Sequence, residues 1–229
     1  MMKTIGMIGG MSWESTITYY QIMNEVVKEE LGGLHSAKII MYSVDFSELE
    51  QCLAMNDWDK IREMLTDIAK RLEAAGADFI AICTNTMHKV APQIQEQIRI
   101  PILHIADATA DALCEDGVKK VGLLGTKYTM TQDFYKDRLT NRGLEVMIPD
   151  ADDIEILNRI IFDELCLGII KDYSRDEYKR IIETLSANGA EAVILGCTEI
   201  GLLISQNDSK VKLYDTTVVH ADRIARRAL

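Results

Sequence analysis

The sequence predicts an α/β protein of two similar lobes, each a four-stranded parallel sheet flanked by helices, related by a pseudo-twofold duplication. Three observations carry that reading. First, Gly76-Ala-Asp-Phe-Ile-Ala-Ile-Cys-Thr-Asn-Thr86 and Gly189-Ala-Glu-Ala-Val-Ile-Leu-Gly-Cys-Thr-Glu199 share one pattern: Gly-Ala-acid, an apolar run, then small polar and sulfur-bearing residues. Second, Thr4-Ile-Gly-Met-Ile-Gly9 is echoed by Lys120-Val-Gly-Leu-Leu-Gly125. The offsets nearly agree, 189 − 76 = 113 and 121 − 5 = 116, which indicates a duplicated half. Third, short apolar runs alternate with longer segments of helical spacing, the signature of parallel sheets covered on both faces.

Taken in order, residues 4–9 form a strand that ends in Gly9-Gly10-Met11-Ser12, and residues 13–30 form a helix with Ile17, Tyr20 and Val27 among its apolar positions. The dinucleotide fingerprint GxGxxG is absent, because Gly6 and Gly9 lie within the strand. Residues 37–44 read as a second strand, 45–56 as a polar irregular loop, and 57–75 as a long amphipathic helix leading into the first repeat. Residues 87–97 are helical, 101–105 make strand four, and Asp107 stands as a helix N-cap. The second half follows the same plan: helix 131–141, strand 144–148, helices 153–167 and 175–187, strand 192–196, a short strand 211–214 and a terminal helix. The lobes are expected over 1–117 and 118–229, with the C-terminal helix able to cross back to the first.

Composition excludes several function classes. The net charge of −11 disfavours nucleic acid and anionic membranes as partners. No run approaches the roughly 18 apolar residues of a membrane span, and no secretory h-region is visible, so a cytoplasmic location is expected. Hydrophobic residues make up 48% of the chain, ordinary for a globular protein. Five scattered cysteines form neither a disulfide framework nor a CxxC metal spacing, and reduced thiols are the simplest reading. No metal cluster, phosphate fingerprint or Schiff-base lysine stands out, so no cofactor is expected.

Ligands in such sheets bind beyond the carboxyl ends of the strands. Gly9 to Ser12, Cys83 to Thr86, Gly125 to Lys127 and Cys197 to Glu199 belong there. Registered on the repeat glycines, Cys197 corresponds to Thr84, and Cys83 falls one place short. If the halves face each other, Thr84 and Cys197 meet across one cleft. A proton-transfer group from each half suits inversion of a stereocentre, one removing a proton and the other returning one to the opposite face. A cysteine at a helix N-terminus can have its pKa lowered enough to give a thiolate near neutrality. Thr84-Asn85-Thr86 can cap the helix from Met87 and bind a carboxylate. Cys114, Cys166, His88, His104, Trp13 and Trp58 read as structural.

Met7-Ile-Gly-Gly-Met-Ser12, Thr84-Asn-Thr-Met-His88, Pro101-Ile-Leu-His-Ile-Ala-Asp107, Gly122-Leu-Leu-Gly-Thr126 and Gly196-Cys-Thr-Glu199, in this order and spacing, resemble the cofactor-independent aspartate/glutamate racemase family over the whole chain. The resemblance implies pyridoxal-phosphate-independent racemisation of an acidic amino acid in a two-lobed, often dimeric fold. Thr84 and Cys197 would be catalytic, and Met11, Asn85, Thr86, Thr126 and Thr198 would bind substrate. Thr84 stands where the family carries a cysteine, which resembles its L-biased branch. Glu199 stands where glutamate racemases usually carry a histidine. A malonate-type decarboxylase using Cys197 alone, or a catalytically degenerate metabolite-binding protein, are the alternatives.

Overall fold

The computed structural model describes all residues, 1–229. Its first sheet has the order β2-β1-β3-β4 and is parallel throughout: β1 (Ile5–Gly9), β2 (Ile39–Ser43), β3 (Phe79–Ile82) and β4 (Ile102–Leu103). Helices α1 (Trp13–Leu31), α2 (Phe46–Ala54), α3 (Trp58–Ala74) and α4 (Ala91–Gln95) connect these strands, with a 3-10 helix over Thr86–Val90 before α4. The second sheet repeats the topology as β6-β5-β7-β8, from β5 (Lys120–Gly125), β6 (Glu145–Met147), β7 (Ala192–Gly196) and β8 (Lys212–Asp215). Around it lie α5 (Ile105–Glu115), α6 (Lys127–Thr131), α7 (Asp133–Thr140), α8 (Ala151–Asp163), α9 (Asp172–Ala187) and α10 (Ile200–Leu203), and the chain ends in α11 (Thr216–Ala228), which packs on the first sheet. The duplicated α/β fold expected from the repeats is present.

Two compact units divide the chain: Met1–Ile105 with His220–Leu229, and Ala106–Val219. The division falls earlier than 117/118 because α5 belongs to the second unit. Two ion pairs one helical turn apart tie it to α7 and the turn that follows, Asp107 to Arg138 at 2.6 Å and Asp111 to Arg142. In the first unit, alternate residues Phe79, Ala81 and Cys83 pack with Ile5, Met7, Tyr19, Met23 and Val27, and Ala221, Ile224 and Ala228 of α11 complete that core. In the second unit, Val193, Leu195 and Cys197 pack against Leu157, Ile161, Tyr178, Ile181 and Leu185 of α8 and α9.

Three local expectations are corrected. Residues 45–56 are not an irregular loop, because Asp45 caps α2 through Ser47 N–H at 3.1 Å and buries Leu49, Cys52 and Leu53 at helical spacing. Strand four stops at Leu103, and Ile105 already begins α5. Asp107 therefore lies inside the first turn rather than capping it.

Candidate active site

In the first unit, β1 ends against the start of α1 through a clamp built on Thr16. Thr16 Oγ1 accepts from Gly10 N–H at 2.8 Å and donates to the Ser12 carbonyl at 2.6 Å. A Cβ on Gly9 would come within 2.5 Å of Thr16 Cγ2, so the close approach requires glycine. Ser12 caps α1, and Met11 is buried beside it. The β1–β3 ladder closes with Cys83 N–H on the Ile8 carbonyl at 2.9 Å, so Thr84, Asn85 and Thr86 emerge at the same sheet end as Gly9 to Ser12. All three are buried. Asn85 occupies the cap position of the following 3-10 helix but makes no side-chain cap bond, which corrects the capping expected of this segment.

The sheet registers align the two halves. Ile5 pairs with Phe79 and Ile8 with Ile82, while Val121 pairs with Ala192 and Leu124 with Leu195. With Val121 equivalent to Ile5, Cys197 is equivalent to Thr84 and Gly196 to Cys83. Side chains alternate along a strand, so Cys83 points to the other face. There it is fully buried in the apolar core, and burial pushes its thiol pKa up.

In the second unit, Thr126 follows β5 and is buried, with its hydroxyl taken up in capping α6 through Thr129 N–H at 3.3 Å. Cys197, Thr198 and Glu199 follow β7 and are 7%, 3% and 2% exposed. The Cys197 thiol and the Thr198 hydroxyl both donate to Glu199 Oε2 at 2.9 Å. Burial, and next the Glu199 charge, push the Cys197 pKa well above its ordinary value. The helix expected to lower it has only four residues and starts at Ile200. The resting sulfur is therefore a thiol whose proton is aimed at a carboxylate. Glu199, absent from the sequence-derived site residues, is its immediate partner; three consecutive polar residues after a fully apolar strand were the available signal.

No cluster of three or more His, Cys, Asp or Glu side chains has the arrangement to hold a metal ion. The chemistry on offer at the strand ends is a thiol–carboxylate pair in one unit and buried hydroxyl and amide groups in the other.

This duplicated architecture defines the class as the two-lobed α/β racemase fold. It is shared with an aspartate racemase from Picrophilus torridus, at 21% identity and a TM-score of 0.78 over 99% of this chain and 94% of that one. Residues 8–224 match the family described as Asp/Glu/Hydantoin racemase, and the chain belongs to that family. A putative Asp/Glu racemase from Yersinia pestis is 55% identical with a TM-score of 0.92, and an aspartate racemase homologue from Pyrococcus horikoshii OT3 is 40% identical with a TM-score of 0.85. Each alignment covers 99% of both chains. The broad specificity amino-acid racemase RacX of Bacillus subtilis is 27% identical over 166 residues, 70% of this chain and 69% of that protein.

Proposed function

We propose that the protein racemises an acidic amino acid, aspartate or glutamate, without a cofactor, with Cys197 and Thr84 as the two proton-transfer groups. Family membership supports the reaction class. The observation that carries the residue assignment is the common register, in which Thr84 and Cys197 occupy one position of a duplicated sheet. Cys197 passes its proton to Glu199 and removes the α-proton, while Thr84 relays a proton to the opposite face of the resulting carbanion, its hydroxyl taking up a solvent proton as it gives its own away, so that no free alkoxide is left. Asn85, Thr86 and Thr198, with Met11, hold the substrate. Thr126, already engaged as a cap, contributes through its main chain.

The two groups are unequal. A threonine hydroxyl is far too weak an acid to provide an alkoxide base near neutrality, so exchange begins more easily at Cys197. By resemblance to the Thr/Cys branch, the enantiomer presented to Cys197 is the L form. Losing one acid/base group costs about 10²–10⁴-fold in rate. The test is α-proton exchange from L- and D-aspartate and glutamate in deuterated water, after EDTA dialysis and without pyridoxal phosphate. Cys197→Ala should abolish exchange from both enantiomers, while Thr84→Cys should raise exchange from the D form. Absence of exchange in the parent protein, together with loss of carbon dioxide from a malonate, would instead establish decarboxylation by the single register-matched thiol.

We also infer a cytoplasmic homodimer. Five free cysteines support a reducing compartment. Trp13, Ile17 and Tyr20 form an exposed apolar stripe along α1, 62%, 54% and 53% accessible, suited to covering by a second copy. A monomer mass by light scattering would remove the dimer.

A further inference from the structure

Three buried histidines gather in the first unit, and each belongs to a different segment. His88 lies in the 3-10 helix after Thr84-Asn85-Thr86, His104 follows β4, and His220 lies in α11. The His88 ring is 4.4 Å from that of His104 and 5.8 Å from that of His220, centre to centre. They do not form a metal-holding arrangement. The hydrogen bonds of His88 and His220 instead fix the chemistry of those two rings.

The β3–β4 ladder ends at Ala81 with Leu103. Beyond it the two chains continue to Thr84 and to Ile105, and the His88 imidazole spans them. Nδ1 lies 2.7 Å from the Thr84 carbonyl, and Nε2 accepts from Ile105 N–H at 3.3 Å. A carbonyl only accepts, so Nδ1 must carry the proton, and an amide only donates, so Nε2 must be bare. His220 holds the opposite tautomer: its Nε2 faces the Leu103 carbonyl at 3.0 Å, and its Nδ1 faces the Tyr19 hydroxyl at 2.9 Å. Two imidazoles thus complete the hydrogen bonding of strand ends that have run out of sheet partners.

We propose that His88, as its neutral Nδ1–H tautomer, is the positioning residue for Thr84: it carries the hydrogen bonding of β3 and β4 past the last rung and so fixes the turn from which the Thr84 side chain acts. The proposal rests on Thr84 being a proton-transfer group. The bond that matters is the one to the Thr84 carbonyl, because it holds the residue four places earlier on the same turn. The bond from Ile105 anchors the far side of the ring.

Two substitutions separate the bonds. In His88→Asn, the side-chain amide N–H can occupy the place of Nδ1–H and keep the bond to Thr84. In His88→Gln, the longer side chain can put its carbonyl where Nε2 was and keep the bond from Ile105. A residue that only fills core space would let the two variants fall together. Positioning predicts that His88→Asn keeps exchange from the D enantiomer close to that of the parent. His88→Gln should lose about tenfold, the size of one buried hydrogen bond, in kcat more than in KM. Equal losses, or a larger loss in His88→Asn, would overturn the proposal. An arm independent of activity is long-range proton–nitrogen correlation of the imidazoles, with the His88 signals identified by their loss in His88→Asn. The Nδ1–H form is expected, and an Nε2–H or doubly protonated ring would overturn the proposal. Should the parent protein exchange no amino acid, the racemase reading falls alone. The amide shifts of Thr84 and Asn85, moved in His88→Gln and preserved in His88→Asn, still decide whether His88 fixes the turn.

Discussion

Cys83→Ala distinguishes the two neighbouring residues at the end of β3. Cys83 is fully buried among Ile5, Met7, Phe79 and Ala81, with its sulfur 4.0 Å from the Ala81 carbonyl, and its pKa is raised by burial alone. Removing the sulfur deletes one heavy atom from a packed core, a change comparable to Ile→Val at ~0.5–1.5 kcal/mol. In a domain of this size each kcal/mol moves Tm by ~2–4 °C, so the variant should melt roughly 1–6 °C lower. Its exchange rates should remain within a few-fold of the parent's from both enantiomers. Thr84→Ala should show the converse: a small change in melting and about 10²–10⁴-fold slower catalysis through the Thr84 side. Thermal unfolding by circular dichroism and α-proton exchange in deuterated water supply both readouts. If folded Cys83→Ala were inactive while Thr84→Ala retained full rates, Cys83 would be the proton-transfer group and the register equivalence would not describe the chemistry.

Two further perturbations act on buried ionisable groups. Burial, with the neighbouring His88, lowers the His220 pKa from 6.5 to about 3, so between those values the unfolded chain binds the extra proton. Stability from this group is complete above pH 6.5 and falls as pH drops towards 3, approaching about 1.4 kcal/mol per pH unit. His220→Gln, which can still donate to the Leu103 carbonyl, should flatten the acid side of the urea-derived stability profile, and an unchanged slope would count against a neutral buried His220. Glu199→Gln removes the charge that, after burial, most opposes ionisation of Cys197. The pH profile of Cys197 alkylation by iodoacetamide, followed by peptide mass to separate it from exposed Cys114, should move to lower pH; an upward shift would contradict the thiol–carboxylate pair.

The repeats by themselves determine the architecture. Glycine-bounded apolar runs recurring at offsets of 113 and 116 required two equivalent sheets, and the order β2-β1-β3-β4 followed by β6-β5-β7-β8 is that duplication. The equivalent strand position of Thr84 and Cys197 was also legible, because a two-residue side-chain period makes a one-place slip reverse the face. Segments whose structure depends on short-range capping were less legible: α2 reads as a polar loop until Leu49, Cys52 and Leu53 have a core to enter. Only the tertiary structure decided that α5 joins the second unit, since the arginines that hold it come from α7 and the turn after it, about thirty residues later. Only it decided that the Cys197 proton is aimed at Glu199 and that His88 bridges Thr84 and Ile105. A sequence pattern reports which face of an element is apolar. Which polar atoms end up within hydrogen-bond reach, and how far from water, depends on segments the chain brings together from a distance, and those distances set the ionisation and tautomer of each group.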